Sequence, residues 1–354
     1  MFSAYAKIEE NTYRETFGLD FEQFEPGQVF RHRPGITISQ QDNVDEATDT
    51  MNSAQLHYDH HYASQTEWGQ CLGVSTMTLQ KVIGSSWKTF ARKDRIVEFT
   101  NIAMTRPVFG GDTLYAESEI LSVDTTGDSE CGLVTVQTRG VNQKGEVVTK
   151  VNYNIRIYKQ GHHPYFGQAE LNCDLTDAKF SAYKLEEDGA LKETVGIYFE
   201  DLLPGETYQH AAYKIVRPEE AVEHAQRSME WNPKYVDPSY YNEYFPDQGK
   251  DGNCPVTEAY WMGAMTACTT RALGRVVANL AWKDMKLNRE LFPGEKLSVT
   301  SEIIDKRESN SRPDQGIVTV VTRAFDKDEN EVLSFTRTLL VYRKGKGPYD
   351  KAGY

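Results

Sequence analysis

GLVTVQTRGVNQKGEVVTKVNYNIRIYK, residues 132–159, returns 184 positions later as GIVTVVTRAFDKDENEVLSFTRTLLVYRK, residues 316–344. Both copies alternate apolar and polar side chains and are rich in β-branched and aromatic residues, the pattern of strands with one buried face. NQKGE and DKDENE interrupt the alternation at matching places and predict a hairpin in each copy. Upstream, MTRPVFGGDTLYAESEILSV (104–123) is echoed by LNRELFPGEKLSVTSEIIDK (287–306). Further upstream, FEQFEPGQVFRHRPGITIS (21–39) is echoed by YFEDLLPGETYQHAAYKIV (198–216), with Pro26-Gly27 on Pro204-Gly205 at an offset of 178. Several blocks in one order at a nearly constant offset describe a chain made of two similar halves. We divide it into a first unit over 19–160, a connector over 161–195 and a second unit over 196–344.

Each half places a helical signal before its strands. EWGQCLGVSTMTLQKVIGSSW (67–87) spaces Trp68, Leu72, Leu79 and Ile83 as a helix surrounded by protein does. Its counterpart is EAYWMGAMTACTTRALGRVV (258–277), and pairing Gly73 with Gly263 and Gly84 with Gly274 suggests its register. The glycines and threonines cost helix propensity, which burial against a sheet would offset. The expectation is an α+β fold, a helix wrapped by an antiparallel sheet, made twice.

At 354 residues the chain holds two ordinary units without metal or disulfide staples. Hydrophobic residues make up 39% and charged residues 26%, with 20 tyrosines and 5 tryptophans, which excludes a disordered protein. Five cysteines with no CxxC pair point to a reducing compartment. A net charge of -13 argues against nonspecific nucleic-acid binding. No run approaches the roughly 18 to 20 apolar residues of a membrane span, and MFSAYAKIEENTYRETFGLD lacks the apolar core of a signal peptide. We therefore expect a cytoplasmic location. Walker A, GxSxG and EF-hand sequences are absent.

The chemistry concentrates in DTMNSAQLHYDHHYASQTEWGQCLG (49–73), which carries His57, His60 and His61. On a continuous helix His57 and His61 would share a face, as two metal ligands do, but no third ligand is implied. His60 and His61 also suit an exposed polar surface. His57 stands at a boundary between irregular chain and helix, where an imidazole can be oriented to move a proton near neutral pH. Asn52 and Asp49 are near enough in sequence to face it if the chain turns back. Gly73 either offers its N–H to a carbonyl oxygen or lets a helix pass close to a strand. WKTFARKDR (87–95) brings Lys88, Arg92, Lys93 and Arg95 together, as a phosphate clamp or as a solvated face.

These stretches resemble the MaoC-like hydratases, the (R)-specific enoyl-CoA hydratase family, in its double-hotdog form. FEPGQVF, LHYDHHYA before GQCLGVSTMTL, and TRPVFGGDTLYAESEI carry the resemblance. The family's Asp-x-Asn-Pro-x-His run with a trailing Asp falls on NSAQLHYD, with Asn52 at the aspartate, His57 at the histidine and Asp59 at the trailing position. EWNPKYVD puts Glu230 at the aspartate and Tyr235 at the histidine of the second half. The resemblance implies reversible hydration of an enoyl-CoA thioester, with His57 as acid/base and the Gly73 N–H polarising the thioester. Asn52 would orient water, Asp49 could assist, and no cofactor beyond the substrate's coenzyme A is needed. Glu230 and Tyr235 form the rival site, and a hotdog thioesterase or a silent acyl-thioester binder is the rival class. The chain further resembles hydratases of short branched dicarboxyl-CoA substrates such as mesaconyl-CoA, for which Arg31, Arg33 and Arg106 are candidate carboxylate partners. Arg92 and Lys93 are candidates for the coenzyme A phosphates, and Tyr240, Tyr241, Tyr244 and Phe245 for closing a tunnel. The assembly expected is a monomeric double hotdog or a homodimer.

Overall fold

A computed structural model describes residues 2–125, 128–164, 175–246 and 252–354. The chain opens with β1 (Tyr5–Glu9) and β2 (Thr12–Glu15), then β3 (Val29–Thr37), α1 (Gln40–Asp49), the one-turn α2 (His60–Ala63) and α3 (Ser75–Ser85). Four long strands follow: β4 (Lys93–Met104), β5 (Thr113–Asp124), β6 (Cys131–Asn142) and β7 (Val147–Tyr158). The segment between the halves supplies β8 (Tyr183–Leu185) and β9 (Leu191–Glu193). The second pass runs β10 (Thr207–His210), α4 (Pro218–Arg227), α5 (Pro233–Val236), α6 (Pro238–Tyr244), α7 (Glu258–Cys268) and β11 (Val276–Leu287). It ends with β12 (Ser298–Glu308), β13 (Gln315–Phe325) and β14 (Glu331–Tyr342).

The repeat becomes two seven-stranded sheets, β4-β7-β6-β5-β3-β9-β8 and β11-β14-β13-β12-β10-β2-β1, each with a helix on its inner face. This is the α+β double hotdog expected from the sequence. The period-2 pattern of β6 buries Val134, Val136 and Thr138. Its outward residues pair across strands, Thr135 with Asn154 at 2.9 Å and Gln137 with Asn152 at 3.0 Å. Leu79 and Ile83 of α3 pack on the first core, and Met77 and Val82 join a second cluster with Leu114 and Val148. The glycine that opens each copy of the repeat has a packing reason. A Cβ on Gly132 would lie 2.2 Å from the Phe21 ring, and one on Gly316 would lie 2.2 Å from Phe199.

The expected helix register is corrected. α3 and α7 each have 11 residues, so Ser75 matches Glu258 and Gly73 matches Val256. Gly263 lies inside α7, opposite Gln80 of α3, and Gly274 lies beyond the helix. Two glycines spaced alike in both segments produced the mistaken pairing, whereas the true register follows the strands, whose offset never reaches the 190 that pairing requires.

The two parallel pairings were unexpected. β2 pairs parallel with β10, and β9 pairs parallel with β3. The hairpin that precedes each unit in the chain therefore completes the sheet of the other unit. Each exchange ends in a buried histidine–carboxylate hydrogen bond: Glu193, the last residue of β9, lies 2.9 Å from His32 Nδ1, and Glu15, the last residue of β2, lies 2.9 Å from His210 Nδ1. Behind them, His32 Nε2 lies 2.9 Å from Ser118 Oγ, and His210 Nε2 lies 3.0 Å from Ser301 Oγ. The hydroxyls continue to Thr138 at 2.8 Å and to Thr322 at 3.0 Å. Burial pushes the Glu193 carboxyl up, but the His32 hydrogen bond and the Lys88 ammonium at 2.8 Å outweigh it and hold it down to about 2.

Candidate active site

The site starts with α1. Ser39 and Asp42 form a capping box that begins the helix, and Asn43 is its buried polar residue. After α1 the chain turns at Asn52, whose N–H donates to Ala47 O at 2.7 Å and whose Oδ1 accepts Ala54 N–H at 3.0 Å. A single 3-10 turn, Gln55–His57, then presents His57. Tyr58 breaks the helix at φ -136°, and Asp59 caps α2 by accepting the Tyr62 N–H at 2.9 Å. His57 and His61 therefore do not share a helix face, and His60 and His61 are exposed on α2. Asp237, the matching aspartate of the second half, caps α6 in the same way through Ser239 and Tyr240.

His57 is half-buried, with Nδ1 2.8 Å from the Leu72 carbonyl oxygen. A carbonyl only accepts, so Nδ1 carries the proton and, in the neutral ring, Nε2 keeps its lone pair. The His57 carbonyl accepts from Gln40 Nε2 at 2.9 Å and Asn43 Nδ2 at 2.8 Å. Neither Gln40 nor Asn43 was picked out from the sequence; the Ser39–Asp42 capping box was the available sign of a helix there.

Gly73 departs from its expected role. Its N–H donates to Val108 O at 2.8 Å, and the matched Val256 N–H donates to Leu291 O at 2.9 Å. The bond recurs in both halves, so it belongs to the fold, and Gly73 gives the close-approach reading: a Cβ there would sit 2.8 Å from Val108 O. The Val74 N–H is also taken, by Asn43 Oδ1 at 2.7 Å. The first turn of α3 adds N–H groups with no intrahelical acceptor, and of its residues Ser75 and Thr76 are exposed while Met77 is buried. Asp49 is exposed at the end of α1, and no hydrogen bond joins it or Asn52 to His57 among the described residues.

The basic candidates are mostly spent on carboxylates, as an acidic chain makes easy. Arg31 is held by Glu117 at 3.2 Å, Glu186 at 2.5 Å and Asp188 at 2.6 Å, so its guanidinium is already engaged by carboxylates. Arg33 is buried under Tyr115 and donates to the carbonyls of His32 and Gly353. Arg92 is tied to Asp20 at 2.6 Å and to Phe17 O, contacts that anchor it within the fold. Arg95 pairs with Asp94. Lys93 is exposed, and Arg106 is exposed with Glu146 at a loose 3.7 Å.

In the second half Glu230 is exposed and closes a turn on Asn232 N–H at 3.4 Å. Tyr235 donates to Glu258 at 2.9 Å, and burial together with that carboxylate pushes its phenol far above its ordinary value. A phenol that holds its proton so tightly is no base at neutral pH. A cavity of about 500 Å³ opens beside α7 where the first half has the Gln80–Glu46 hydrogen bond; its walls include Ala259, Gly263, Ala267, His224 and Lys214. Neither Glu230 nor Tyr235 lines it. Tyr241 is buried and bonded to Glu290 at 2.7 Å, so that part of the aromatic loop packs the fold; residues 247–251 of the loop lie outside the described residues. Among the described residues no group of three or more His, Cys, Asp or Glu side chains could hold a metal, and no helix is long and apolar enough to cross a membrane.

The model of the mesaconyl-CoA hydratase family matches residues 3–157 and 174–352. Over 110 residues the chain is 31% identical to mesaconyl-CoA hydratase of Haloarcula hispanica, covering 30% of this chain and 31% of that one. Over 119 residues it is 25% identical to β-methylmalyl-CoA dehydratase of Chloroflexus aurantiacus, covering 33% and 34%. These stretches span about a third of the curated relatives' length. Among solved structures, a MaoC domain protein dehydratase from Chloroflexus aurantiacus aligns with 21% identity over 93% of this chain and 98% of that one, at a TM-score of 0.40. A Mycobacterium tuberculosis protein with a double hotdog fold aligns with 17% identity over 92% and 99%, at 0.38. The match over nearly the whole length, in two blocks that follow the two halves, places the chain in the mesaconyl-CoA hydratase family of MaoC-like double-hotdog proteins.

Proposed function

We propose that the protein adds water reversibly across the double bond of a short, branched, dicarboxylic enoyl-CoA, with His57 as its acid/base. The observation that carries this reading is the Nδ1–H bond to Leu72 O, which leaves Nε2 with a lone pair. Nε2 removes a proton from water as the water oxygen bonds to Cβ, and the Cα–Cβ π electrons shift toward the thioester oxygen. The first-turn amides of α3 that have no intrahelical acceptor then favour the enolate, aided by the helix dipole. His57 returns its proton to Cα, so one water is added with every atom accounted for. Asn52 cannot take a proton, because an amide has no useful basicity, but its Nδ2 can orient the water. Asp49, exposed at the end of α1 just before the same turn, is the carboxylate that would assist. The mesaconyl-CoA hydratase family match and the exposed Arg106 support a substrate with a second carboxylate, and exposed Lys93 suits the coenzyme A phosphates.

Purified protein incubated with mesaconyl-CoA should give a hydroxyacyl-CoA, seen by mass spectrometry as the gain of one water. Release of free coenzyme A without that product would instead identify a thioesterase, and neither change would leave an acyl-thioester binder.

A further inference from the structure

We infer that Asn43 is a positioning residue that fixes the tautomer and direction of the His57 ring; the inference rests on the reading of His57 as the acid/base. Asn43 lies on α1, 1% exposed, and its amide is fully used. Nδ2 donates to His57 O at 2.8 Å and to Leu72 O at 3.0 Å, while Oδ1 accepts the Val74 N–H at 2.7 Å. Leu72 O is the same carbonyl that receives the His57 Nδ1–H at 2.8 Å. One side chain therefore grips the backbone of the imidazole, the acceptor of its proton, and the residue that leads into α3. An imidazole in water exchanges its proton between two nitrogens, and a carbonyl held in place by a second donor favours the Nδ1–H form. That form directs the basic Nε2 outward.

A purely architectural role for the amide is weakened by the second half. α1 and α4 have equal length, and the fourth residue is Asn43 in one and Ala221 in the other. With alanine at this place the second half still keeps the Val256 N–H bond that matches that of Gly73. There the residue matched to His57 is Tyr235. The amide thus occurs in the half that has an imidazole to hold. An asparagine buried inside a helix lowers helix propensity and demands bonded partners, so it is not a neutral filler.

The test is steady-state hydration of mesaconyl-CoA by Asn43→Ala and His57→Ala, with nitrogen-15 NMR of the His57 ring. Asn43→Ala should lower kcat about tenfold to a hundredfold, the loss expected when a reacting group is misplaced, with KM little changed. The wild-type ring should be protonated at Nδ1, and the variant should show both tautomers. A drop in kcat for His57→Ala with none for Asn43→Ala overturns this inference alone. Full activity in His57→Ala overturns the reading of His57 as the acid/base, and this inference together with it. An unchanged His57 tautomer in Asn43→Ala would reduce Asn43 to packing, whatever happened to kcat. If that variant does not fold, Asn43→Asp takes its place, since it keeps the volume and the acceptor for Val74 but loses both donors. Failure of both to fold makes Asn43 a residue of the fold and overturns the inference.

Discussion

Two glycines and a histidine show how differently single residues can be read. Gly132 opens the repeated strand, and its lack of a side chain admits the Phe21 ring. Gly132→Ala should destabilise the protein by about 1–3 kcal/mol, the usual cost of overpacking, seen as a lower urea midpoint. An unchanged midpoint would mean the ring moves aside freely. The presence of a glycine in both copies was legible; its partner ring, some 110 residues away, was not. Gly73 was legible only as a choice between two roles, because nothing local announces that its N–H meets Val108 O. His57 was picked out by its neighbours in sequence, yet what orients it comes from α1 and from Leu72, contacts that only the tertiary fold creates.

Elements were easier to read than their registers. The strands were legible because alternation survives any tertiary context that buries one face. The central helices were also found, but glycine spacing misplaced α7 against α3, and α1 was missed because its polar sequence lacks an apolar stripe. α3 is held by its buried face: Met77 is 2% exposed among Val74, Leu114 and other apolar side chains. Met77→Ala should cost about 2–5 kcal/mol, measured by chemical denaturation. A cost well below that would show that the site collapses around the gap. The trailing aspartates, Asp59 and Asp237, were noticed as parts of a motif and prove to be helix caps. Asp59→Ala should lose about 1 kcal/mol by freeing the Tyr62 N–H, a difference visible in the thermal midpoint.

The whole molecule is two units that each finish the other's sheet, a feature with no local signature, since a short hairpin does not say which edge it will join. Deleting residues 2–17 should raise amide exchange in β10 and β12 before β3 and β5, because Glu15 and β2 serve the second sheet. Greater loss in the first sheet would contradict the exchange. The buried Glu193 carboxylate also sets a pH dependence. The Glu193 carboxyl is held at about 2 against an ordinary 4.5, so its stabilisation is complete above about pH 4.5 and is lost as pH falls toward 2. The amount is of order 3 kcal/mol. Glu193→Gln should flatten the acid limb of unfolding free energy against pH, and an equally steep limb would assign it to other carboxylates. The two units offer different places for a substrate, an imidazole in the first and an open cavity in the second. The decisive measurement is a structure with a non-hydratable enoyl-CoA analogue bound. Hydration at His57 predicts the β-carbon within one water of Nε2, with the thioester oxygen at the start of α3; an acyl group seated instead in the cavity beside Gly263 and His224, with His57 untouched, would contradict it.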